Sequence, residues 1–185
     1  MTFLLLGVFL WIAAHLFKRV APNARAAVGD KGPGLVATSL MLGIGLMIYG
    51  YRTGDFNPIY TPLPGMGHLV NLTMIAAIFL QGAGDASGVT RSKIRHPMLT
   101  GMLVWSLSHL LVNGDSAAIV LFGGMAIWSV LEIVFINRAE GPWTPPERGP
   151  ASKDIKLLLI SLVLYAIFAA IHWWLGYNPF LGTYG

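Results

Sequence analysis

The sequence predicts an all-α integral membrane protein, a six-transmembrane-helix bundle with both termini on the non-cytoplasmic side. Two observations lead to this prediction: six apolar stretches of nearly membrane-spanning length, and a one-sided distribution of basic residues between them. The chain has 185 residues, of which 55% are hydrophobic and 11% are charged, too few charges to cover a soluble surface. The stretches also lack the two-residue alternation of a β-barrel.

Each apolar stretch approaches the length of about 20 residues that a helix needs to cross the hydrocarbon core. The six stretches are Phe3–Phe17, Leu35–Tyr49, His68–Gly82, Met98–Val112, Ala117–Ile136 and Ile155–Leu175. A stretch that falls short is expected to recruit interfacial residues at its ends. The anchors predicted for this purpose are Trp11, Trp173, Trp174 and Tyr177.

The basic residues indicate which gaps face the cytoplasm, since insertion holds basic loops on that side. Eleven of the twelve lie in or beside the first, third and fifth gaps, and Arg52 alone lies in the second. The sequence therefore predicts a multi-pass membrane protein whose first, third and fifth gaps lie in the cytoplasm. Basic residues follow the first stretch, whereas a signal peptide has them before it, so this span is expected to stay. Orientation also explains the net charge of +4, which predicts a membrane-lipid partner and no nucleic acid.

The segments between the spans are short, and residues 1–185 are expected to form a single transmembrane domain. A short surface helix is expected around Asn23–Val28, and the proline-containing gap Arg52–Gly67 is expected to be an extended turn. Asn113-Gly114-Asp115 predicts a tight reversal that makes the fourth and fifth spans antiparallel neighbours. The gap Asn137–Lys153 is expected to be a loop.

The absence of cysteine excludes disulfides, iron–sulfur clusters, thiolate metal ligands and covalent c-type haem. Histidines at membrane depth therefore become the main candidates for chemistry. An imidazole in a bundle is either a ligand for haem iron or an interhelical hydrogen-bonding group. Both interpretations stay open for each of the five histidines, which are His15, His68, His96, His109 and His172.

Two further polar features stand out. Arg95-His96-Pro97 begins the fourth span, where basic side chains near a helix N-terminus favour a carboxylate or phosphate group. Plain anchoring of a basic loop at the interface is the alternative. Glu132 is the one acid deep in a span, and we favour structural pairing for it over snorkelling to the interface.

Several of these residues together resemble the NnrU family of membrane proteins. The block Arg95–Gly114 is the most specific part, and the resemblance covers essentially the whole chain. The further motifs that carry it are Ala14-His15, Lys18-Arg19, Tyr49-Gly50-Tyr51, His68, Trp128 and Glu132.

The resemblance implies a haem b-binding protein. Bacterial members of the family are linked to denitrification, which implies a location in the bacterial inner (cytoplasmic) membrane, and the similar zeta-carotene isomerases are haem b enzymes. The positions that match their axial ligands are His15 and His109. The depth of His68 groups it with His109, so it is kept as a reserve ligand, and Arg95 and His96 are candidates for a propionate or anion site. A rise of about 1.5 Å per residue places the two ligands roughly 10 Å apart in depth.

The function that this resemblance implies is denitrification-linked or isomerase-like redox chemistry, with an isoprenoid or a redox partner. Ser106 stands where the isomerases carry a cysteine, so a thiolate ligand exchange is excluded here. One alternative is a membrane methyltransferase, in which the Arg-His-Pro motif would meet S-adenosylmethionine. A second is a non-catalytic assembly factor or subunit. Substrate, electron partner and oligomeric state stay open.

Overall fold

The structure is a computed structural model that describes residues 1–54 and 56–180, and its architecture is helical. The helices are α1 (Thr2–Val20), α2 (Pro22–Ala27), α3 (Gly32–Arg52), α4 (Met66–Ala83), α5 (Pro97–Val112), α6 (Ser116–Ala118), α7 (Gly124–Glu140) and α8 (Ala151–Trp174). A π-helical turn, Ile119–Gly123, joins α6 to α7 in one continuous helix. The described residues contain no β-strand.

Five of these helices are long and apolar enough to cross a membrane. They are α1, α3 with the turn before it, α4, the continuous helix Ser116–Glu140, and α8. Helix α5 is apolar but has only 16 residues. The all-helical membrane fold is therefore confirmed, whereas the sixth span and the sides of the termini stay predictions.

The helices pack in an order that differs from their order along the chain. The most extensive contacts join α1 to α3 and α4 to α5, while α7 packs against both α1 and α5. The outer helices, α3 and α8, pack mainly on α1 and α4. The row across the bundle is therefore α3–α1–α7–α5–α4–α8, which leaves α3 and α5 on either side of α1 and α7.

Glycines let α1 and α3 approach closely, as small residues do between membrane helices. A Cβ built on Gly50 would lie 2.3 Å from the backbone nitrogen of Leu4, and one on Gly7 would lie 2.7 Å from that of Met47. Leu4 is fully buried and, with Met47 and Trp128, belongs to the central apolar cluster. The contact therefore places α1 against the core.

The loop between α3 and α4 is tied to the reversal between α5 and α6. The backbone nitrogens of Ile59 and Tyr60 donate to the Gly114 carbonyl at 2.8 and 3.0 Å, and the Tyr60 hydroxyl donates to the Asn113 carbonyl at 3.0 Å. The predicted reversal is confirmed, because α5 and α7 are antiparallel neighbours: His96 contacts Asn137 near one end and His109 contacts Phe122 near the other.

Two sequence-based expectations about the segments between the spans have different outcomes. The surface helix is confirmed as Pro22–Ala27. The loop predicted at Asn137–Lys153 is too long at both ends, because α7 continues to Glu140 and stops at Gly141, whose φ is 71°. Helix α8 already begins at Ala151, after Pro150. Residues 55 and 181–185 of the predicted domain lie outside the described residues.

Trp11 is not the interfacial anchor that the sequence predicts. It lies in the middle of α1, packs against the central apolar cluster and has a buried indole nitrogen. Because an indole at an interface keeps its N–H in a wet environment, this position belongs to the interior. Trp173 and Trp174, at the end of α8, are exposed as expected.

Candidate functional site: two tryptophan–histidine pairs

Two helices carry the same pair of aromatic residues four positions apart. Trp11 precedes His15 on α1, and Trp105 precedes His109 on α5. This spacing places both members on one helix face, and the ring centroids lie 4.4 and 4.8 Å apart. In each pair the histidine Nδ1 lies 2.9 Å from the tryptophan carbonyl oxygen. We call these the two Trp–His pairs.

That hydrogen bond fixes the tautomer of each imidazole. A carbonyl oxygen can only accept, so Nδ1 must carry the proton and donate. In the neutral ring, Nε2 then keeps its lone pair. Neither Nε2 of His15 nor that of His109 has a hydrogen-bond partner among the described residues. Metal-ligating histidines ordinarily have their second nitrogen held in this way.

The continuous helix Ser116–Glu140 supplies an aromatic wall for both pairs. The His15 ring lies 4.6 Å from Trp128, and the His109 ring stacks on Phe122 with centroids 4.4 Å apart and an interplanar angle of 23°. The indole rings of Trp11 and Trp128 both contact His15 and also contact each other, with centroids 5.4 Å apart. Their nitrogens are buried and have no hydrogen-bond partner among the described residues. A buried N–H without an acceptor is costly, so this pocket of the bundle carries two unused donors.

The structure does not bring His15 and His109 into contact. Their neighbours Trp128 and Phe122 are six residues apart on the continuous helix, which corresponds to roughly 9 Å along its axis. The two imidazoles make no ring contact with each other among the described residues. The difference in depth expected from the sequence therefore persists, and a shared iron ligand pair stays a prediction.

The other two membrane histidines do not belong to either Trp–His pair. His68 is exposed close to the start of α4, and it makes no ring contact with either Trp–His pair. His172 is exposed near the end of the outer helix α8. Its Nδ1 donates to the Phe168 carbonyl at 2.7 Å. His172 thus has the same kind of Nδ1 hydrogen bond as His15 and His109 but no aromatic ring packed against it. It therefore serves as a control for substitutions of those two histidines.

Arg95 and His96 tie the start of α5 to the end of α7. Arg95 donates through Nη1 to the Gly141 carbonyl at 2.7 Å and contacts the Glu140 carboxylate at 3.4 Å. His96 Nε2 lies 2.8 Å from the Asn137 amide oxygen. A cavity of about 240 Å³ lies beside Arg95. Both predicted anion-site residues therefore already have protein partners.

Glu132 is paired, as the sequence analysis favoured. It is 5% exposed, and its carboxylate lies 3.4 Å from the Arg19 guanidinium. Arg19 follows His15 by one helical turn, so this ion pair closes the same end of the bundle at which His15 lies. A charge pair that is largely removed from solvent explains how an acid is tolerated in an apolar helix.

A lateral groove of about 360 Å³ lies between α3 and α5, and residues of α1 and of the continuous helix Ser116–Glu140 also line it. Its lining residues are Trp11, Ile44, Met47, Ile48, Tyr51, Arg52, Met102, Trp105, Leu121 and Met125. Both tryptophans of the Trp–His pairs therefore face it. Sequence reasoning missed this groove and the role of the tryptophans, although the repeated spacing Trp-x-x-x-His was available as a signal.

Comparison with known protein families gives one decisive result: the NnrU protein family model matches residues 3–179. The chain belongs to the NnrU family. The resemblance predicted from the block Arg95–Gly114 is thus confirmed over nearly the whole chain. Comparison of this NnrU-family protein with curated proteins and with solved structures gives no match.

Proposed function

We propose that this NnrU-family protein binds haem b within the membrane, with imidazole ligands from the two Trp–His pairs. The observation that supports this most directly is the hydrogen bond from each Nδ1 to a tryptophan carbonyl. It leaves His15 and His109 each with one unpaired, lone-pair-bearing nitrogen in an apolar setting, and neutral imidazole is a common haem ligand.

The residues present fit a haem in donor chemistry. Within residues 1–54 and 56–180, no three His, Asp or Glu side chains converge. A metal at these imidazoles would therefore need most of its ligands from a bound cofactor, which a porphyrin supplies. The buried indole N–H groups of Trp11 and Trp128 add donors without acceptors beside His15, and the aromatic walls suit a flat macrocycle.

In this proposal the protein's own residues hold and insulate the group. The tryptophan carbonyls fix the imidazole tautomers, and Trp128 and Phe122 restrict the ring orientations. A bound haem would supply an iron for electron transfer or for polarising a double bond. We further propose that this chemistry serves the denitrification-linked or isomerase-like role that the family resemblance implies, with a redox or an isoprenoid partner.

The membrane topology belongs to the same proposal: six spans in the bacterial inner membrane, with both termini on the non-cytoplasmic side. The chain contains no cysteine, so single cysteines report sidedness without background. A membrane-impermeant maleimide applied to intact cells is expected to label Leu63→Cys and to spare Arg148→Cys. Both positions are exposed in loops at opposite ends of the bundle. The reverse labelling pattern would contradict the orientation.

The methyltransferase alternative is less well supported by the geometry. It requires Arg95 and His96 to meet the carboxylate of S-adenosylmethionine, and both already have partners in Gly141, Glu140 and Asn137. Calorimetry with S-adenosylmethionine is expected to show no binding. A role as a non-catalytic assembly factor would instead be indicated if purified protein, supplied with haem, binds none.

Haem titration of purified histidine variants tests the proposal. His15→Ala and His109→Ala are each expected to shift or weaken the Soret band, because each removes one unprotonated Nε2 that is proposed to bind the iron. His172→Ala is the matched control, since His172 has the same Nδ1 bond but no aromatic wall. Equal spectra for all three variants and the unmodified protein would refute ligation by the Trp–His pairs.

A further inference from the structure

The cavity of about 240 Å³ beside Arg95 lies between two loops at one end of the bundle. One is the α4–α5 loop, residues 84–96, and the other is the α7–α8 loop, residues 141–150. The lining residues of this inter-loop cavity are Gly84, Arg91, Arg95, Pro97, Trp143 and Pro146. Its exposed lining is more polar than apolar, unlike that of the lateral groove, and none of the described residues that line it is acidic.

The two loops that enclose the inter-loop cavity are fixed to each other and to α8. A Cβ added at Gly149 would collide with the Ser87 carbonyl, so the α7–α8 loop lies directly on the α4–α5 loop. The Thr90 backbone nitrogen and hydroxyl both donate to Asp154 in the first turn of α8. Arg91 follows Thr90 in the same 3₁₀ turn. The cavity is therefore formed before a ligand binds, which lowers the conformational cost of binding.

The two arginines of the cavity keep donors for a further acceptor. Within residues 1–54 and 56–180, the Arg91 guanidinium forms no ion pair and no hydrogen bond. Arg95 donates through Nη1 to the Gly141 carbonyl at 2.7 Å, and its contact with Glu140 is 3.4 Å long and involves a carboxylate side chain that is 62% exposed. Water screens such a pair. Because a guanidinium has five N–H donors, the Gly141 bond holds Arg95 in place without using up its donors.

The chemistry of the lining favours phosphate. Pro97, the first residue of α5, lines the cavity, and no side chain caps this helix N-terminus, which adds to the preference for negative charge. Phosphate offers enough oxygens for two guanidiniums at once, through charge-assisted and bidentate hydrogen bonds. The volume of about 240 Å³ is far above the roughly 10–15 Å³ that one water needs, so the cavity has room for such a group.

The cavity lies where α4 ends at Ala83 and α5 begins at Pro97, which in a membrane is the level of the lipid head groups. The predicted orientation places this end on the cytoplasmic side, where basic pockets between helices bind anionic head groups. We propose that the inter-loop cavity binds a phosphate group between Arg91 and Arg95, carried by an anionic lipid or by a soluble phosphate ester. Pro97 and His109 are twelve residues apart on α5, roughly 18 Å along its axis. The site is therefore separate from the Trp–His pair of α5 and does not rest on haem binding.

Native mass spectrometry of the purified full-length protein in a neutral detergent tests the proposal. Phosphatidylglycerol is the probe, and phosphatidylcholine, whose choline cation the two guanidiniums repel, is the counterpart. We expect phosphatidylglycerol to stay bound at concentrations about tenfold below those needed for phosphatidylcholine. Arg91→Gln should weaken retention of phosphatidylglycerol about tenfold, because its charge-assisted hydrogen bonds are lost. Arg138→Gln is the matched control, an exposed arginine at the same end that does not line the cavity, and should leave retention unchanged.

Calorimetry with glycerol phosphate, which carries the phosphate and glycerol without acyl chains, distinguishes the two sources. Binding of the lipid without binding of glycerol phosphate supports a head-group site, and binding of both, each weakened by Arg91→Gln, supports a site for soluble phosphate esters. Equal retention of the two lipids together with no binding of glycerol phosphate would overturn the proposal. Equal effects of Arg91→Gln and Arg138→Gln would overturn it as well, whatever the Soret band shows.

Discussion

A single methyl group added at Gly50 tests the close approach of α1 and α3. The Cβ of Gly50→Ala would lie 2.3 Å from the Leu4 nitrogen, 2.8 Å from its Cα and 2.9 Å from its Cβ. Two of these atoms are backbone, which no rotamer change can move aside. Overpacking typically costs about 1–3 kcal/mol, and a backbone clash places this substitution at the upper end, about 3 kcal/mol.

Gly45→Ala on the same helix is the control, because nothing lies within 4 Å of its built Cβ. Both substitutions gain the same helix propensity, about 1 kcal/mol, so their difference isolates the contact. We expect Gly50→Ala to be about 3 kcal/mol less stable than Gly45→Ala when unfolding in mixed micelles is followed by tryptophan fluorescence as the SDS fraction rises. Matching midpoints for the two variants would refute the described approach of α1 to α3.

Three further changes probe the polar contacts of the bundle. Glu132→Ala leaves Arg19 without its partner, and a loss of about 2 kcal/mol in unfolding free energy is expected, below the full value for a buried pair because Arg19 is partly exposed. The Thr90 backbone nitrogen and hydroxyl both donate to Asp154 Oδ2, at 2.9 and 3.0 Å. Asp154→Ala removes this acceptor and should cost about 2 kcal/mol in the same assay. Burial, and secondarily the Asp115 carboxylate, raise the pKa of Tyr60 above its usual value of about 10. The raised pKa means that the neutral Tyr60 hydroxyl stabilises the fold fully below pH of about 10 and that this stabilisation is lost as pH rises through the folded-state pKa. Thermal unfolding measured at increasing pH should show this loss in the unmodified protein and not in Tyr60→Phe.

Each of these three has its own contradicting result. Glu140→Ala breaks the exposed pair with Arg95 and should lower the free energy of unfolding by less than about 1 kcal/mol. If Glu132→Ala lowers it by no more than Glu140→Ala does, the pairing of Glu132 with Arg19 does not stabilise the fold. Glu147→Ala, an exposed acid in the loop before α8, should be neutral where Asp154→Ala is not. For Tyr60, parallel pH curves of the unmodified protein and Tyr60→Phe would show that its hydroxyl does not titrate with folding.

The helices were the predictable part of this structure because their signal is local. A run of apolar residues in membrane must form a helix to satisfy its own backbone, so composition and length suffice. Helix α5 shows the limit: 16 residues are too few for the length criterion, although the charge pattern treats it as a span. The turn at Gly114 was predictable for the same local reason.

Features that depend on the order of helix packing could not be predicted. The groove exists because α3 lies on α1 and away from α5, and nothing in either stretch specifies that neighbour. The prediction of Trp11 as an interfacial anchor is wrong for the same reason, since the position of a mid-span indole depends on which helices pack on it. The partner of Glu132 likewise depends on α1 and α7 being parallel neighbours, which brings Arg19 to it.

The arrangement of the histidines is predictable from the sequence only in part. Their depths follow from helix rise, and the offset between His15 and His109 expected from the sequence persists in their separate contacts with Trp128 and Phe122. The state of each ring does not follow from depth. It required the observation that Nδ1 reaches the carbonyl one turn earlier.

The absorption spectrum of the purified protein, expressed with ample haem and recorded oxidised and reduced, tests the central claim most directly. The account predicts a Soret band, a non-covalent haem that solvent extracts as haem b, and a band that is weakened or shifted in His109→Ala but unchanged in His172→Ala. Protein that contains no haem under these conditions, or a spectrum indifferent to His109, would contradict it.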